Sequence, residues 1–284
     1  MPYKIITHNG KAHMDELLGS ALLAVHLGEE PDSIERMDSR DAADLVKEGN
    51  LPQNTYFVDC GLVFDNSRNL YDHHQDSGLD SAALLIFNEF FPHLKDTELH
   101  KIMVLVSKVD TRGPMSLDDF NLISESRDYL TFSQKILLKS FEEDPKPILK
   151  IFIAGLEDKL SFELARARAV LWLNETGHTE ICRVSNLNIL RYIIKPPSEL
   201  VSPLRSAVTE LVDDNDISAI LSFDDKQPGV LTFYRTDSGH DLVDFSRCTP
   251  AETIFCHQGG FLMKFKLAKD DEWMSLFSQA VREG

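Results

Sequence analysis

The sequence has no long hydrophobic run, no cluster of basic residues and no closely spaced cysteine pair, and each absence narrows what the chain can be. No apolar stretch approaches the roughly 20 residues that a bilayer-spanning helix needs, and residues 1–10 lack the basic start and apolar core of a secretory leader. Cys60, Cys182, Cys248 and Cys256 form no Cys-x-x-Cys pair and no zinc-ligand spacing, so they read as reduced thiols of an intracellular, provisionally cytoplasmic, protein. No internal repeat or low-complexity tract points to a solenoid or a disordered tail. Lys and Arg together number 29 against 46 Asp and Glu, for a formal net charge of -17. That field repels polyanions at long range, which argues against long duplex nucleic acid and constrains the size of any anionic substrate. A bound pair of divalent cations would reverse the potential locally.

What is present suffices for two cored domains: 284 residues, 43% of them hydrophobic. Tyr3–Thr7 reads as a strand and Met14–Leu27 as a helix, with Leu17, Leu18, Ala21, Leu22 and Val25 on one stripe. Ser33–Met37 follows as a short strand, then a helix capped by Ser39, then the apolar run Thr55–Gly61 of a buried parallel strand. Leu79–Phe91 and Thr97–Asp110 read as apolar-faced helices. Asp144-Pro145-Lys146-Pro147 punctuates the chain before a helix at Ile148–Glu175. From there the pattern turns β-rich, at 180–184, 187–194, 217–223 and 230–236, around a helix near 203–212. The expected architecture is therefore α/β: a mostly parallel-sheet domain at 1–130, a helical connector at 131–177, and a smaller C-terminal α/β domain at 178–284, with the site in the cleft between the domains.

Chemistry-bearing residues collect at strand ends. Leu70-Tyr71-Asp72-His73-His74-Gln75 follows an extended segment, and a strand continued through it would send His73 and His74 to opposite faces, one to a metal and the other toward a substrate or the groups that support the metal's ligands. Thr7-His8-Asn9-Gly10-Lys11-Ala12-His13-Met14-Asp15-Glu16 places His8, His13 and Asp15 between a strand's carboxyl end and a helix's amino end, where open α/β sheets bind ligands. Asp59 closes the third strand. Asp110, at the end of an apolar helix face, opposes the helix dipole and is desolvated unless a cation compensates it. Singly, each residue also reads as an ordinary exposed histidine, a dipole-favoured acid or a turn former. Together, His8, His13, Asp15, Asp59, His73 and Asp110 form a two-metal inventory of nitrogen and oxygen donors, suited first to manganese, with magnesium, cobalt or zinc as alternatives. In the C-terminal part, Gly259 and Gly260 after His257 offer backbone amides to a phosphate, with Arg235, Lys264 and Lys266 adding positive charge to the same cleft.

Asp72-His73-His74 is the triplet that names the DHH phosphoesterase superfamily, and the sequence resembles that superfamily. Within it the chain is similar to the melanocyte-proliferating-gene family through Thr7-His8-Asn9-Gly10, His13-x-Asp15-Glu16, Tyr71-Asp72-His73-His74-Gln75, Ser81-Ala82-Ala83 and Phe255-x-His257-x-x-Gly260-Phe261. The resemblance implies that residues 1–130 are the catalytic domain. It further implies that His8, His13 and Asp59 hold one metal and that Asp15, Asp59, His73 and Asp110 hold the other, with Asp59 bridging and His74 facing the substrate. It also implies a mobile C-terminal domain that clamps substrate phosphate through His257 and Gly260. One departure is that relatives continue after the Gly-Phe pair with further glycines, where this chain has Leu262-Met263-Lys264, and that leaves substrate identity open.

The implied reaction is hydrolysis of a phosphoester by a hydroxide bridging two metals about 3.5 to 4 Å apart, with His74 as catalytic charge stabiliser or proton donor. Nucleases, pyrophosphatases and exopolyphosphatases share such a fold; the likeness favours an exonuclease on short or single-stranded RNA or DNA ends. A small-molecule phosphohydrolase acting on a nucleotide, pyrophosphate or short polyphosphate is the alternative within the class. Outside it stands a non-catalytic metal- or nucleotide-binding regulator. No membrane partner is expected, and oligomeric state is not legible.

Overall fold

Short strands whose successive residues are all buried can be satisfied only by a sheet covered on both faces. A computed structural model, which describes residues 2–113, 124–250, 252–269 and 271–282 without the side chains of 124–131 and 210, has that arrangement. The chain divides into two compact units, Met1–Glu163 and Leu164–Gly284.

In the first unit, β1 (Lys4–His8), α1 (Met14–Leu27), β2 (Ser33–Met37), α2 (Ser39–Glu48) and β3 (Thr55–Val58) alternate along the chain. A short β4 (Phe64–Asp65), β5 (Leu70–Tyr71), α3 (Ala82–Phe90) and α4 (Glu98–Arg112) follow. The sheet order is β2-β1-β3-β5-β4, with every pairing parallel except β4 with β5. Alternation along the strands divides the core. Ile5, Val58 and Tyr71 face Leu17, Ala21 and Leu22 of α1 and Ala83 and Ile86 of α3, whereas Ile6, Phe57 and Leu70 face Ala42 and Val46 of α2. Each such side chain, fully buried, contributes about 1.5–3 kcal/mol. Gly19 lets α1 approach the sheet, since a Cβ there would lie 2.9 Å from Val58 Cγ1.

Several boundaries differ from the sequence expectation for local reasons. Asp38, not Ser39, caps α2, its carboxylate accepting the Arg40 amide. Pro145 opens α6 (Pro145–Asn174) instead of delaying it, because a first-turn N–H has no helical partner to lose. The β4 edge strand was not expected; two residues are too few to show a period. α5 (Ser124–Glu143) and the early part of α6 join the first core through Phe141, Leu149, Ile153 and Leu156. The last turns of α6 supply Ala169, Trp172 and Leu173 to a core of the second unit.

That second unit contains β6 (Thr179–Val184), β7 (Leu187–Tyr192), α7 (Val201–Asp214), β8 (Ile217–Phe223), β9 (Leu231–Arg235), β10 (Glu252–Cys256), β11 (Leu262–Lys266) and α8 (Glu272–Ala280). Its sheet runs β10-β11-β9-β8-β7-β6 and is antiparallel except between β7 and β8, which α7 connects. One face carries Phe233, Met263 and Phe265 against Trp273 and Phe277 of α8; the other carries Leu190, Tyr192 and Ile220 against Leu204 and Val208 of α7. Both units are thus α/β, each around a mixed sheet. Among the described residues no helix is long and apolar enough to cross a membrane.

Candidate metal centre

Three neighbouring parallel strands end side by side, and each delivers a polar residue at or just past its carboxyl end: His8 from β1, Asp59 after β3, and Asp72-His73-His74 after β5. The start of α1 adds His13 and Asp15, and α4 adds Asp110. At Asp59 the backbone turns left-handed, with φ 58°, a conformation Asp tolerates better than bulkier residues. Its amide donates to Tyr71 O at 2.8 Å, tying the end of β3 to the end of β5.

The Asp59 side chain is fully buried, and neither carboxylate oxygen has a hydrogen-bond partner. Nε2 of His8 lies 3.4 Å from Oδ2, and Nε2 of His73 lies 3.4 Å from Oδ1; both nitrogens are likewise buried without a hydrogen bond. Because His8 Nδ1 contacts Asn9 O at 2.7 Å, its proton belongs on Nδ1 in the neutral ring and the Nε2 lone pair is left for another partner. Asp110 approaches His73 Nε2 at 3.0 Å and His13 Nδ1 at 3.5 Å. Asp15, wholly buried, accepts hydrogen bonds from Ser81 Oγ, Ala82 N and Ala83 N at the start of α3. It therefore closes the amino end of a helix far away in sequence.

Two sets of donors can hold a metal ion with their atoms within 4.8 Å of one another, His8 with His13 and Asp59, and Asp15 with Asp59, His73 and Asp110. Asp59 belongs to both. A third set, Asp59 with His73 and His74, overlaps them. Orphaned buried oxygens and imidazole nitrogens converging on one point are what a cation satisfies and what ordinary packing avoids. The donor chemistry fits divalent ions that accept nitrogen and oxygen together.

The electrostatics of the metal-free cluster follow from the same crowding. Burial opposes a charged His8, but the Asp59 carboxylate 3.4 Å away and the field of Glu16 outweigh it and raise the imidazole to about 9. His73 is likewise raised to about 10, Asp110 and Asp59 overcoming burial. Burial pushes Asp59 up, yet His73 and His8 hold it down at about 2. For Asp15, burial followed by the charges of Asp59 and Asp110 pushes the carboxyl up to about 8 in spite of its hydrogen bonds. Protons thus stand in for cations.

Two residues that sequence reasoning left without a role emerge here. Asp72 is buried and accepts from Leu62 N through Oδ2, and from His74 N and the His74 ring through Oδ1, the ring contact being 2.7 Å. It holds the His74 ring in place and raises that imidazole above its usual value. Glu16 is buried, accepts the His13 amide, pairs with Arg36 at 3.0 Å and lies 3.4 Å from His8 Nε2. The only signal for either was membership of a motif.

Other expectations need correction. β5 ends at Tyr71, so no strand carries His73 and His74 to opposite faces; their rings lie side by side, centroids 4.3 Å apart. The difference between them is burial, with the His74 side chain 48% exposed and that of His73 only 9%. In the second unit, Arg235 pairs across the sheet with Ala219, on the face of the α8 core, and donates to Val243 O. Lys264 pairs with Thr232 on the other face, so the expected common patch does not form. Lys264 and Lys266 are moreover neutralised by Asp224 and Glu252. The amides of Gly259 and Gly260 are already taken, by His257 Nδ1 and His257 O. Gly260 has φ 63° and would, with a Cβ, overlap the Asp244 carboxylate, which explains the glycine without any phosphate.

The raised imidazoles set the pH dependence of metal uptake. Metal requires both His8 and His73 neutral, and at pH 7, below values of about 9 and 10, both carry protons in the metal-free protein. Adding manganese to chelator-treated protein at pH 7 should release about two protons or more, and affinity should rise from pH 6 to pH 9. Calorimetry in buffers of differing ionisation enthalpy measures this; metal binding without proton release would contradict the donor assignment.

Residues 4–99 match the MYG1_exonuc model, described as an uncharacterised protein family (UPF0160). The match spans about a third of the chain, from β1 into the start of α4, and so includes His8, His13, Asp15, Asp59, His73 and His74 but not Asp110. No curated protein matches the chain.

Proposed function

We propose that this chain is a metal-dependent phosphohydrolase that cleaves phosphodiester bonds, acting as an exonuclease on short or single-stranded ends of RNA or DNA. The observation that carries the reading is Asp59, a buried carboxylate shared by two donor sets and bonded to nothing else. The label of the family matched by residues 4–99 supports the choice of exonuclease. In this reading Asp59 would be shared by two divalent cations, manganese first. His8 and His13 would complete one set of ligands, and Asp15, His73 and Asp110 the other. When bound, such cations activate water and neutralise charge on the phosphoryl oxygens.

The chain's own groups do the rest. Asp15 is held by the amino end of α3, so its carboxylate is oriented before any ligand arrives. Arg36 and the His13 amide fix Glu16 beside His8. His74, with its ring anchored on Asp72 and half exposed, is the residue placed to meet the substrate and to stabilise charge or donate to the leaving oxygen. Asp72 is a positioning residue. In the second unit, His257 accepts the Gly259 amide through Nδ1, which leaves an exposed Nε2–H as a donor suited to a substrate phosphate.

Asp59→Asn is expected to abolish manganese-dependent hydrolysis and to deplete bound metal. His74→Ala should retain metal and lose turnover by about 10²–10⁴-fold. Elemental analysis beside a nuclease assay separates the two; equal depletion in both variants would make His74 a ligand, as its proximity to Asp59 also allows.

A small-molecule phosphohydrolase is the second reading, favoured by the net charge of -17. Affinity for non-hydrolysable oligonucleotides of increasing length, measured over a salt series, decides between them. The exonuclease reading predicts affinity that rises over the first few nucleotides, then levels with a shallow salt slope. Mononucleotides binding as well as any oligonucleotide would favour the second reading. His257→Ala should raise KM with metal content unchanged.

A further inference from the structure

The second unit has an open cavity of about 400 Å³ between α7 and one face of its sheet. Register shows how the bed is made. Ile220, Tyr234 and Leu262 form one cross-strand row over β8, β9 and β11, and Ser222, Thr232 and Lys264 form the next. Above them α7 presents Val201, Leu204, Arg205 and Val208, the spacing of a single helical face. Its size falls within the roughly 300–1,000 Å³ usual for small-molecule sites.

The polar groups here are not those of a failed core. The hydroxyls of Ser222 and Thr232 stand opposite one another on the cavity floor, and neither bonds to another described residue. Asp224 is buried and fully occupied by Lys264, Lys226 N and Gln227 N, so its charge is cancelled. Lys195 donates to the carbonyls of Asp224 and Asp225, and Arg205 is exposed without an ion pair among the described residues. Setting Asp225 against these two cations leaves one net positive charge at the mouth, in a chain that is strongly acidic overall. An apolar bed, a pair of open hydroxyls and a free guanidinium match a flat ring body, a polar ring edge and one anionic group. An acyl chain would leave the hydroxyls unpaired, at a cost.

We propose that this cavity is a metal-independent binding site for a nucleoside 5′-monophosphate. The base lies in the apolar bed with its edge on Ser222 and Thr232, and the phosphate meets Arg205 and Lys195. The choice of a nucleotide among ring-plus-anion ligands rests on the phosphoesterase reading above; the cavity itself does not.

The test uses the full chain treated with chelator, with adenosine and uridine 5′-monophosphates as probes, adenosine as the phosphate-free comparison and octanoate as a competitor, all by equilibrium dialysis. Saturable nucleotide binding without metal is expected. Arg205→Ala, an exposed change on α7, should weaken nucleotide binding about tenfold and leave adenosine unaffected, since a charge-assisted hydrogen bond is lost. Ser222→Ala combined with Thr232→Val should weaken both. The proposal is overturned if neither nucleotide saturates, if octanoate displaces them, if both sets of changes leave affinity unaltered, or if Asp59→Asn abolishes binding. Failure of the phosphohydrolase reading shows separately, as absence of manganese-dependent turnover while metal-free binding persists.

Discussion

A carboxylate removed from water and given no hydrogen bond is the constraint on which the first unit turns. Leaving a single buried polar group unpaired costs about 1–3 kcal/mol, and more when it is charged. Asp59 leaves two oxygens in that condition, on a left-handed backbone. Two imidazoles at 3.4 Å offset the charge without bonding to it. The surroundings are built to keep this arrangement from relaxing: the Asp59 amide is tied to Tyr71, Asp15 is held by α3, and Glu16 by Arg36. Strain and desolvation retained at one point, with rigid support on every side, are the marks of a site organised for a ligand.

Much of this unit was legible because its signals are local. α1 and β2 run between the expected ends, and for α1 the reason is an apolar stripe at helical period, which needs no tertiary information. The location of the donors was legible too, because the carboxyl ends of parallel strands are where such sheets bind ligands. What escaped depends on contacts distant in sequence. Asp15 meets Ser81 across 66 residues, and Leu62 meets Asp72 across the β4–β5 hairpin. The relation of His73 to His74 was misread because the strand stops two residues before the pair. Whether it continued is a matter of pairing with its neighbours, which no period over four residues reveals.

The second unit shows the same limit from the other side. Four of its six described strands, β6 to β9, were recognisable and β10 and β11 were not, and alternation alone could not say that Arg235 and Lys264 belong to opposite faces, because that follows from the register of β9 against β8 and β11. Glycines at 259 and 260 looked like a phosphate cradle; the amides are spent on His257, and the close approach at Gly260 is made by Asp244. A sequence reports that backbone freedom is needed, not which neighbour needs it.

The central claim is that Asp59 joins two cations into one centre. Electron paramagnetic resonance of the protein loaded with about two equivalents of manganese tests it most directly. Ions bridged by one carboxylate couple magnetically, so the account predicts the spectrum of a coupled pair, lost in Asp59→Asn together with the bound metal. Isolated-ion spectra from the unaltered protein at full loading would contradict it.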